Sequence, residues 1–234
     1  MSLASPSISR RLFLVGAASA AVSGCAVSTG TGFGGSKPLY APGKLSYAAT
    51  YGPVSDGGFN IPAVPISKID PKYYRQEVRN VTGEPEGWVI VDTRNHFLYY
   101  TRPNGRAIRY GVGLGRAGFE WSGRAVMQWK RKWPTWTPPA EMIARDPKLA
   151  KYSADNGGMK PGLKNPLGAR ALYIFQDGED TLYRLHGSPE WASIGKSVSS
   201  GCVRLMNQDV IDLYNRIPNG TPILVSNNLR PRLV

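Results

Sequence analysis

The sequence is short of cysteine, histidine and acidic residues. It has two cysteines, two histidines, and 16 Asp and Glu against 29 Lys and Arg, which gives a formal net charge of +13. So few cysteines and histidines provide no zinc-ligand set, and no cofactor motif is found, so we predict neither metal nor cofactor. The basic residues are spread out, with no run of five like charges and no nucleic-acid-binding motif. We therefore predict no nucleic-acid partner.

Long hydrophobic runs are also missing. The apolar stretch from Leu12 to about Val22 is rich in Ala and Gly, and it is shorter than the roughly 20 residues that a permanent membrane-spanning helix needs. It follows a pair of arginines, as the apolar region of a signal peptide does. The segment Ser9-Arg10-Arg11-Leu12-Phe13-Leu14 resembles the twin-arginine translocation signal. We predict an exported protein of the periplasm or cell envelope.

The end of this stretch, Val22-Ser23-Gly24-Cys25, resembles a lipobox. The resemblance implies that Cys25 becomes the lipidated first residue of the mature chain and anchors it to a membrane. The following Ala26, in place of an acidic residue, favours the outer membrane. A cleaved signal without lipid is one alternative, and a Cys25–Cys202 disulfide is another. Lipidation would consume the Cys25 thiol and leave Cys202 as an odd free thiol, which is a sign of reactivity.

Composition divides the chain into five predicted segments. They are a signal peptide (1–25), a flexible linker rich in Gly, Ser, Thr and Pro (26–45), an extended lead-in without an assigned function (46–85), a globular domain (86–226) and a C-terminal tail (227–234).

The domain has many short β-prone segments and few helical ones. Seven strands are predicted from β-branched and aromatic runs bounded by turn formers: Trp88–Thr93, His96–Tyr100, Ala107–Val112, Ala125–Lys130, Ala171–Phe175, Leu182–His186 and Pro222–Ser226. Helices are predicted at about Pro139–Arg145 and at Asn207–Arg216, with Asn207 as the N-cap. We predict a mainly β, single-domain fold, a β-sandwich or partly closed barrel with a few short helices.

One histidine and one cysteine have the spacing and setting of a catalytic pair. His186 ends a predicted strand, and Cys202 follows a Gly/Ser-rich loop 16 positions later. Covalent acyl transfer needs a nucleophile, a base within hydrogen-bond reach and donors for the oxyanion. Gly201 would allow close backbone approach to a substrate. As a pattern alone, this is equally compatible with a buried structural cysteine and a core histidine.

The motifs around this pair resemble the L,D-transpeptidase catalytic domain, the YkuD-like family that includes the ErfK and YbiS type. The resemblance rests on His186-Gly187-Ser188, Ile194-Gly195, Ser199-Ser200-Gly201-Cys202-Val203-Arg204-Leu205 and Asp209, and upstream on Trp88-Val89-Ile90-Val91-Asp92, Gly111-Val112-Gly113, residues 133–142 and residues 165–170. It implies the YkuD-like fold over about residues 86–226.

The resemblance implies roles for three residues. Cys202 would attack the carbonyl between the third and fourth residues of a peptidoglycan stem tetrapeptide, and His186 would be the base, oriented by the Gly187 carbonyl. D-Alanine would leave, and an amine of a second stem would take the acyl group, which gives a 3-3 cross-link. Water as acceptor would give an L,D-carboxypeptidase, and a protein acceptor a ligase that attaches an envelope protein to the wall.

Several residues are predicted to line the substrate site. Arg204 could bind a stem-peptide carboxylate, and its alternative is an ion pair with Asp209 or another acid. The other candidates for substrate binding are Ser199, Ser200 and Gly201. Many family members have histidine where this chain has Ser200. We also predict that an adjacent imidazolium lowers the pKa of Cys202 well below its usual value near 8.5.

Overall fold

The computed structural model of the chain describes residues 44–115, 121–198 and 202–230. The described α-helices are α1 (Lys44–Thr50), α2 (Ala140–Arg145) and α3 (Asn207–Arg216). The described strands are β1 (Val54–Asp56), β2 (Phe59–Ile61), β3 (Gln76–Arg79), β4 (Val89–Asp92), β5 (Phe97–Arg102), β6 (Arg106–Gly111), β7 (Gly113–Gly115), β8 (Gly123–Lys132), β9 (Arg170–Gln176), β10 (Glu179–Ser188), β11 (Ser197–Val198), β12 (Val203–Met206) and β13 (Thr221–Ser226). Short 3-10 turns lie at Ile66–Lys68, Pro71–Tyr73, Pro147–Tyr152 and Trp191–Ser193.

Eleven of these strands form one sheet, in the order β11-β7-β12-β10-β9-β8-β13-β4-β5-β6-β3, while β1 and β2 pair as a separate hairpin. Most neighbours are antiparallel, and β10 with β12, β13 with β4, and β11 with β7 are parallel. The mainly β class and all seven predicted strands are confirmed. Strands β1, β2, β3, β7, β11 and β12 were not predicted.

The sheet buries apolar side chains on both faces. Alternate residues of its strands, such as Val89, Leu185 and Leu205, pack with Val210 and Leu213 of α3 in the main core. The opposite face of β4 and its neighbours carries a second cluster around Ile90 and Tyr99. No helix in the described part of the chain is long and apolar enough to cross a membrane.

The N-cap of helix α3 lies one residue earlier than the sequence indicates. Asn207 is wrong as the N-cap, because Met206 holds that position and Asn207 is the first helical residue. Its Oδ1 atom instead accepts a hydrogen bond from the Ala169 backbone N–H at 2.9 Å. The helix start therefore holds the turn that precedes β9.

The lead-in packs on the domain. The Tyr51 hydroxyl donates to Asp209 Oδ2 at 3.1 Å, and Gln208 Nε2 donates to the Gly52 carbonyl at 3.0 Å. Further along, the Asp56 carboxylate accepts two hydrogen bonds of 2.7 Å from the Arg170 guanidinium. Residues 50–60 therefore cover the first turn of α3 and the start of β9.

The buried Asp209 makes stability depend on pH. Burial is the main cause that raises its pKa from 3.8 to about 7, against the opposing effects of Arg75 and of the Tyr51 hydrogen bond. Because the folded pKa lies above the unfolded one, the contribution to stability is full below pH 3.8 and is lost as pH rises through about 7.

We expect Asp209→Asn, which stays neutral, to escape this loss. The free energy of unfolding of the variant, minus that of the wild type, should rise by about 3 kcal/mol between pH 5 and pH 8. Urea unfolding at fixed pH values measures it. Asp70→Asn is the matched control, since Asp70 is an exposed carboxylate paired with Lys72, and its difference should stay flat in this window. A flat difference for Asp209→Asn would contradict the expectation.

Candidate active site

His186 lies near the end of β10 with 4% of its surface exposed. In the sheet it faces Ala171 of β9 and Arg204 of β12. Its Nδ1 atom is 2.6 Å from the Gly187 carbonyl oxygen. Because a carbonyl oxygen only accepts hydrogen bonds, Nδ1 carries the proton, and the lone pair of the neutral ring is on Nε2. The strand thus fixes the tautomer that a general base requires.

Close packing requires a glycine at position 187, in addition to the contact that the Gly187 carbonyl makes with His186. A Cβ atom there would collide with Asn207 Oδ1 and would lie 2.9 Å from Val210 Cγ1. The preceding turn is equally tight, since a Cβ at Gly168, whose φ is +58°, would lie 2.6 Å from the Gly187 carbonyl carbon. The glycine after His186 therefore lets α3 and this turn approach the base.

Cys202 lies immediately before β12. Leu185 pairs with Val203 and His186 with Arg204, so Cys202 comes opposite Arg184. Side chains alternate along a strand, so Cys202 is on the face shared by Arg184 and His186, while Leu185 and Val203 point into the main core. The Cys202 carbonyl accepts from Gly115 N–H at 3.0 Å, which ties the cysteine to β7.

The thiol of Cys202 forms no disulfide with any residue that the structure describes, and it contacts the neighbouring strand β10. Its Sγ atom donates to the Leu182 carbonyl oxygen at 3.6 Å. Catalytic hydrogen bonds are often long or differently arranged before a substrate binds, so the thiol contact with Leu182 is compatible with a proton acceptor elsewhere on the shared face.

The predicted imidazolium–thiolate pair is wrong for this resting structure. Burial is the largest cause that lowers the pKa of His186 to about 4, and the Arg204 charge lowers it further. Burial also raises the pKa of Cys202, although the Arg184 backbone N–H and the charges of Arg184 and Arg204 oppose this. At neutral pH the site therefore holds a neutral imidazole and a neutral thiol, because burial disfavours both charged forms.

Arg204 has an acid partner, but it is not Asp209. Its Nη1 atom contacts Glu190 Oε2 at 2.6 Å, and Glu190 is largely exposed while Arg204 is largely buried. Asp209, in the first turn of α3, instead contacts Tyr51 and Arg75. Arg204 is therefore paired with a carboxylate that reaches it from solvent.

The remaining predicted site residues lie outside the described residues. They are Ser199, Ser200 and Gly201 of the loop before Cys202, and Cys25 near the start of the chain. The second histidine, His96, has its Nε2 atom 3.0 Å from Ser197 Oγ and takes no part in the arrangement around Cys202 described above.

A family model described as the L,D-transpeptidase catalytic domain, YkuD, matches residues 86–225. The chain belongs to this family.

Curated relatives carry the same family name. Probable L,D-transpeptidase YbiS of Escherichia coli K12 is 34% identical over 147 residues, which are 59% of this chain and 44% of that protein. Probable L,D-transpeptidase ErfK/SrfK of the same strain is 32% identical over 145 residues, 58% of this chain and 43% of that protein. The matched region is thus less than half the length of these relatives.

One solved structure has higher identity. It is described as a probable carnitine operon oxidoreductase, caia, from Brucella melitensis, is 42% identical, and covers 67% of this chain and 96% of that one with a TM-score of 0.47. At that TM-score the likeness supports no further conclusion. Membership of the L,D-transpeptidase family rests on the family model, and it makes the chain a member of an acyltransferase family.

The tryptophans of this L,D-transpeptidase domain fall into separate contacts. Trp133 is buried, and its Nε1 donates to Asp56 at 2.7 Å, while Trp129 stacks on Tyr173. Trp121 stacks on Tyr183 beside the main core. Trp121, Trp129 and Trp133 therefore make packing contacts. Trp136, half-buried and near Tyr152, lies on the long segment between β8 and β9.

The sequence did not indicate the packing roles of two asparagines, Asn165 and Asn207. Asn165 is fully buried, and its Nδ2 atom lies within 3.2 Å of the Pro134, Met159 and Lys160 carbonyl oxygens. Asn207 holds the turn beside Gly187, as described above. The signal available in the sequence was an Asn-Pro and a Gly in one short segment, which indicates a turn but not what it packs against.

Proposed function

We propose that this chain is a peptidoglycan L,D-transpeptidase in which Cys202 is the nucleophile and His186 the general base. The observation that carries the proposal is the common sheet face of the two residues, together with the hydrogen bond that fixes His186 Nδ1 on the Gly187 carbonyl. Family membership supports stem peptides as the substrate class. The proposed acceptor is an amine of a second stem.

The first half-reaction forms a thioester. Sγ of Cys202 attacks the carbonyl carbon between the third and fourth stem residues, and His186 Nε2 takes the thiol proton. The C–N bond then breaks, the leaving D-alanine amine takes that proton back from His186, and the acyl group stays on Sγ. The Gly187 carbonyl favours the transient imidazolium, as a triad carboxylate does in serine enzymes.

The second half-reaction releases the cysteine. The acceptor amine gives a proton to His186 Nε2 and attacks the thioester carbonyl, and the C–S bond breaks as the new amide bond forms. Sγ then regains a proton from His186. Water in place of the amine would yield a free tripeptide.

Arg204 is the proposed contact for a substrate carboxylate, and Glu190 is the group that the substrate displaces. We expect Arg204→Met to raise KM by roughly 10- to 100-fold, because a hydrogen bond to a charged group is worth about 1.5–3 kcal/mol. Glu190→Gln should lower KM, since it removes the competing carboxylate. Initial rates with a purified disaccharide-tetrapeptide measure both. A KM unchanged in Arg204→Met would rule out this contact.

The test of the proposed reaction is a product analysis. Protein without its first 43 residues and full-length protein are each incubated with disaccharide-tetrapeptide, and the products are weighed by mass spectrometry. Cross-linked dimers with free D-alanine support the transpeptidase. Tripeptide alone would identify an L,D-carboxypeptidase instead, and no reaction in the folded full-length protein would contradict the proposal.

We also propose where the enzyme works. The twin-arginine and lipobox resemblances support an exported lipoprotein of the periplasm or cell envelope, anchored to a membrane by a lipidated Cys25. An envelope protein is a further proposed acceptor. The mass of the mature N-terminus decides the anchor, because an unmodified Cys25 would contradict it.

A further inference from the structure

The resting thiol is held by a bulge in β10. Pairing between β10 and β9 is regular at Asp180, shifts register, and resumes at Arg184. Within the shift, Leu182 has a φ of 61° and is 75% exposed. Its backbone N–H donates to Asp180 Oδ1 at 2.9 Å, and its carbonyl accepts from Cys202 Sγ. The bulge therefore presents backbone groups to the sulfur.

A row of stacked side chains crosses the sheet and ends at Arg184, the residue opposite Cys202. Trp129 pairs with Tyr173, and Tyr173 with Arg184, which comes opposite Cys202. The two rings stack with centroids 3.6 Å apart, and the Arg184 guanidinium lies 4.3 Å from the Tyr173 centroid. At the far end, Arg131 lies over Trp129 at 5.5 Å. The stack limits where the Arg184 side chain can lie.

Asp180 holds the same guanidinium from the side. Its two carboxylate oxygens each accept a hydrogen bond of 2.7 Å from Arg184. A planar guanidinium bound by a bidentate carboxylate and stacked on a ring has one well-defined position. The negative charge of Asp180 also weakens the field that Arg184 exerts on the sulfur.

The charge that stabilises a thiolate here has to be permanent. His186 is neutral at rest, so it supplies no cation until it has taken the proton. Among the described residues, the charged groups that act on Cys202 are Arg184 and Arg204, which favour the thiolate, and Asp180, which opposes it. Arg204 is itself paired with Glu190, and a guanidinium keeps its charge at every working pH.

We propose that Arg184 is a positioning residue that controls how readily Cys202 loses its proton, with Asp180 as the group that moderates it. The inference rests on the proposed role of Cys202 as nucleophile. When the S–H bond breaks, the proton goes to His186 Nε2 and the sulfur electron pair forms the bond to the acyl carbon. Arg184 exchanges no proton, and its charge lowers the energy of the thiolate-like state.

The test measures alkylation of Cys202 by iodoacetamide against pH in the full-length protein, with peptide mass mapping to separate Cys202 from Cys25. We expect Asp180→Asn to react about three- to tenfold faster at pH 7, and Arg184→Met to react about tenfold slower. Arg131→Met is the matched control at the other end of the stack, and it should behave like the wild type.

Opposite directions for the two variants support the proposal, because a purely structural role would move both the same way. Equal directions, or no change in either, would overturn it. If Arg184→Met does not fold, Asp180→Asn decides alone, since Asp180 is partly exposed and asparagine keeps an acceptor for Leu182 N–H. Alkylation needs no peptidoglycan, so opposite shifts without any transfer would refute the proposed function and not this inference.

Discussion

Replacing Cys202 by alanine is expected to abolish acyl transfer, with a fall in rate of roughly 10³-fold or more. Within the described residues, no other thiol lies on the shared face of β10 and β12 to form the covalent intermediate. The protein should stay folded, because the sulfur contacts backbone groups of the β10 bulge and lies outside the main core cluster. Dimer formation from disaccharide-tetrapeptide measures the rate, and the urea midpoint measures the fold.

Two further variants test the base and the nucleophile in turn. His186→Ala should lose activity to a similar degree, since the proposed mechanism routes the thiol proton through His186 Nε2. Cys202→Ser should not rescue transfer, because a serine hydroxyl needs a stronger base than a histidine whose pKa is about 4. Appreciable turnover by Cys202→Ala would refute the assignment of the nucleophile.

Removal of the Asp56 carboxylate is expected to be the most destabilising single change in the lead-in. Asp56→Ala leaves Arg170, which is 2% exposed, without its bidentate partner, and it also removes the acceptor for Trp133 Nε1. Breaking a buried ion pair on one side costs about 3–5 kcal/mol. Because Asp56 itself is partly exposed, we expect Asp56→Ala to lower the free energy of unfolding, measured with urea, by about 3 kcal/mol.

The exposed pair of Glu77 and Arg106 supplies the control. Glu77→Ala removes a carboxylate from an ion pair of 3.0 Å that water still reaches, so its cost should stay below about 1 kcal/mol. The Arg170 hydrogen bond is the main cause that lowers the pKa of Asp56 from 3.8. The ion pair of Asp56 with Arg170 therefore stabilises the fold above pH 3.8, and this stabilisation should be lost as pH falls further. Equal costs for Asp56→Ala and Glu77→Ala would contradict the buried role.

The family and the two candidate residues, His186 and Cys202, could be read from the sequence because their signal is local. His186-Gly187-Ser188 and the Cys202 motif are short segments whose residue types the chemistry itself demands, and the domain strands follow from runs of β-formers. Strand β12 was missed because only the four residues Val203–Met206 separate Cys202 from the predicted helix at Asn207, a segment too short to show a clear β pattern. Its parallel pairing with β10 is what brings the two halves of the pair together.

The charge state and the lead-in could not be predicted, because both depend on distant contacts. Proximity of a cysteine and a histidine indicates an ion pair, but burial of His186 under its neighbours reverses that expectation. Asp56 and Arg170 are 114 positions apart, and Tyr51 and Asp209 are 158 apart. No local pattern in residues 46–85 shows that Tyr51 and Asp56 have partners that far along the chain.

Mass spectrometry of the intact protein after brief exposure to disaccharide-tetrapeptide, without acceptor in excess, tests the central claim most directly. We predict a covalent adduct of the tripeptide acyl group, mapped to Cys202, together with one released D-alanine for each adduct. Cys202→Ala should show neither, and His186→Ala should form the adduct far more slowly. An adduct on any other residue, or release of D-alanine by folded Cys202→Ala at the wild-type rate, would contradict the account.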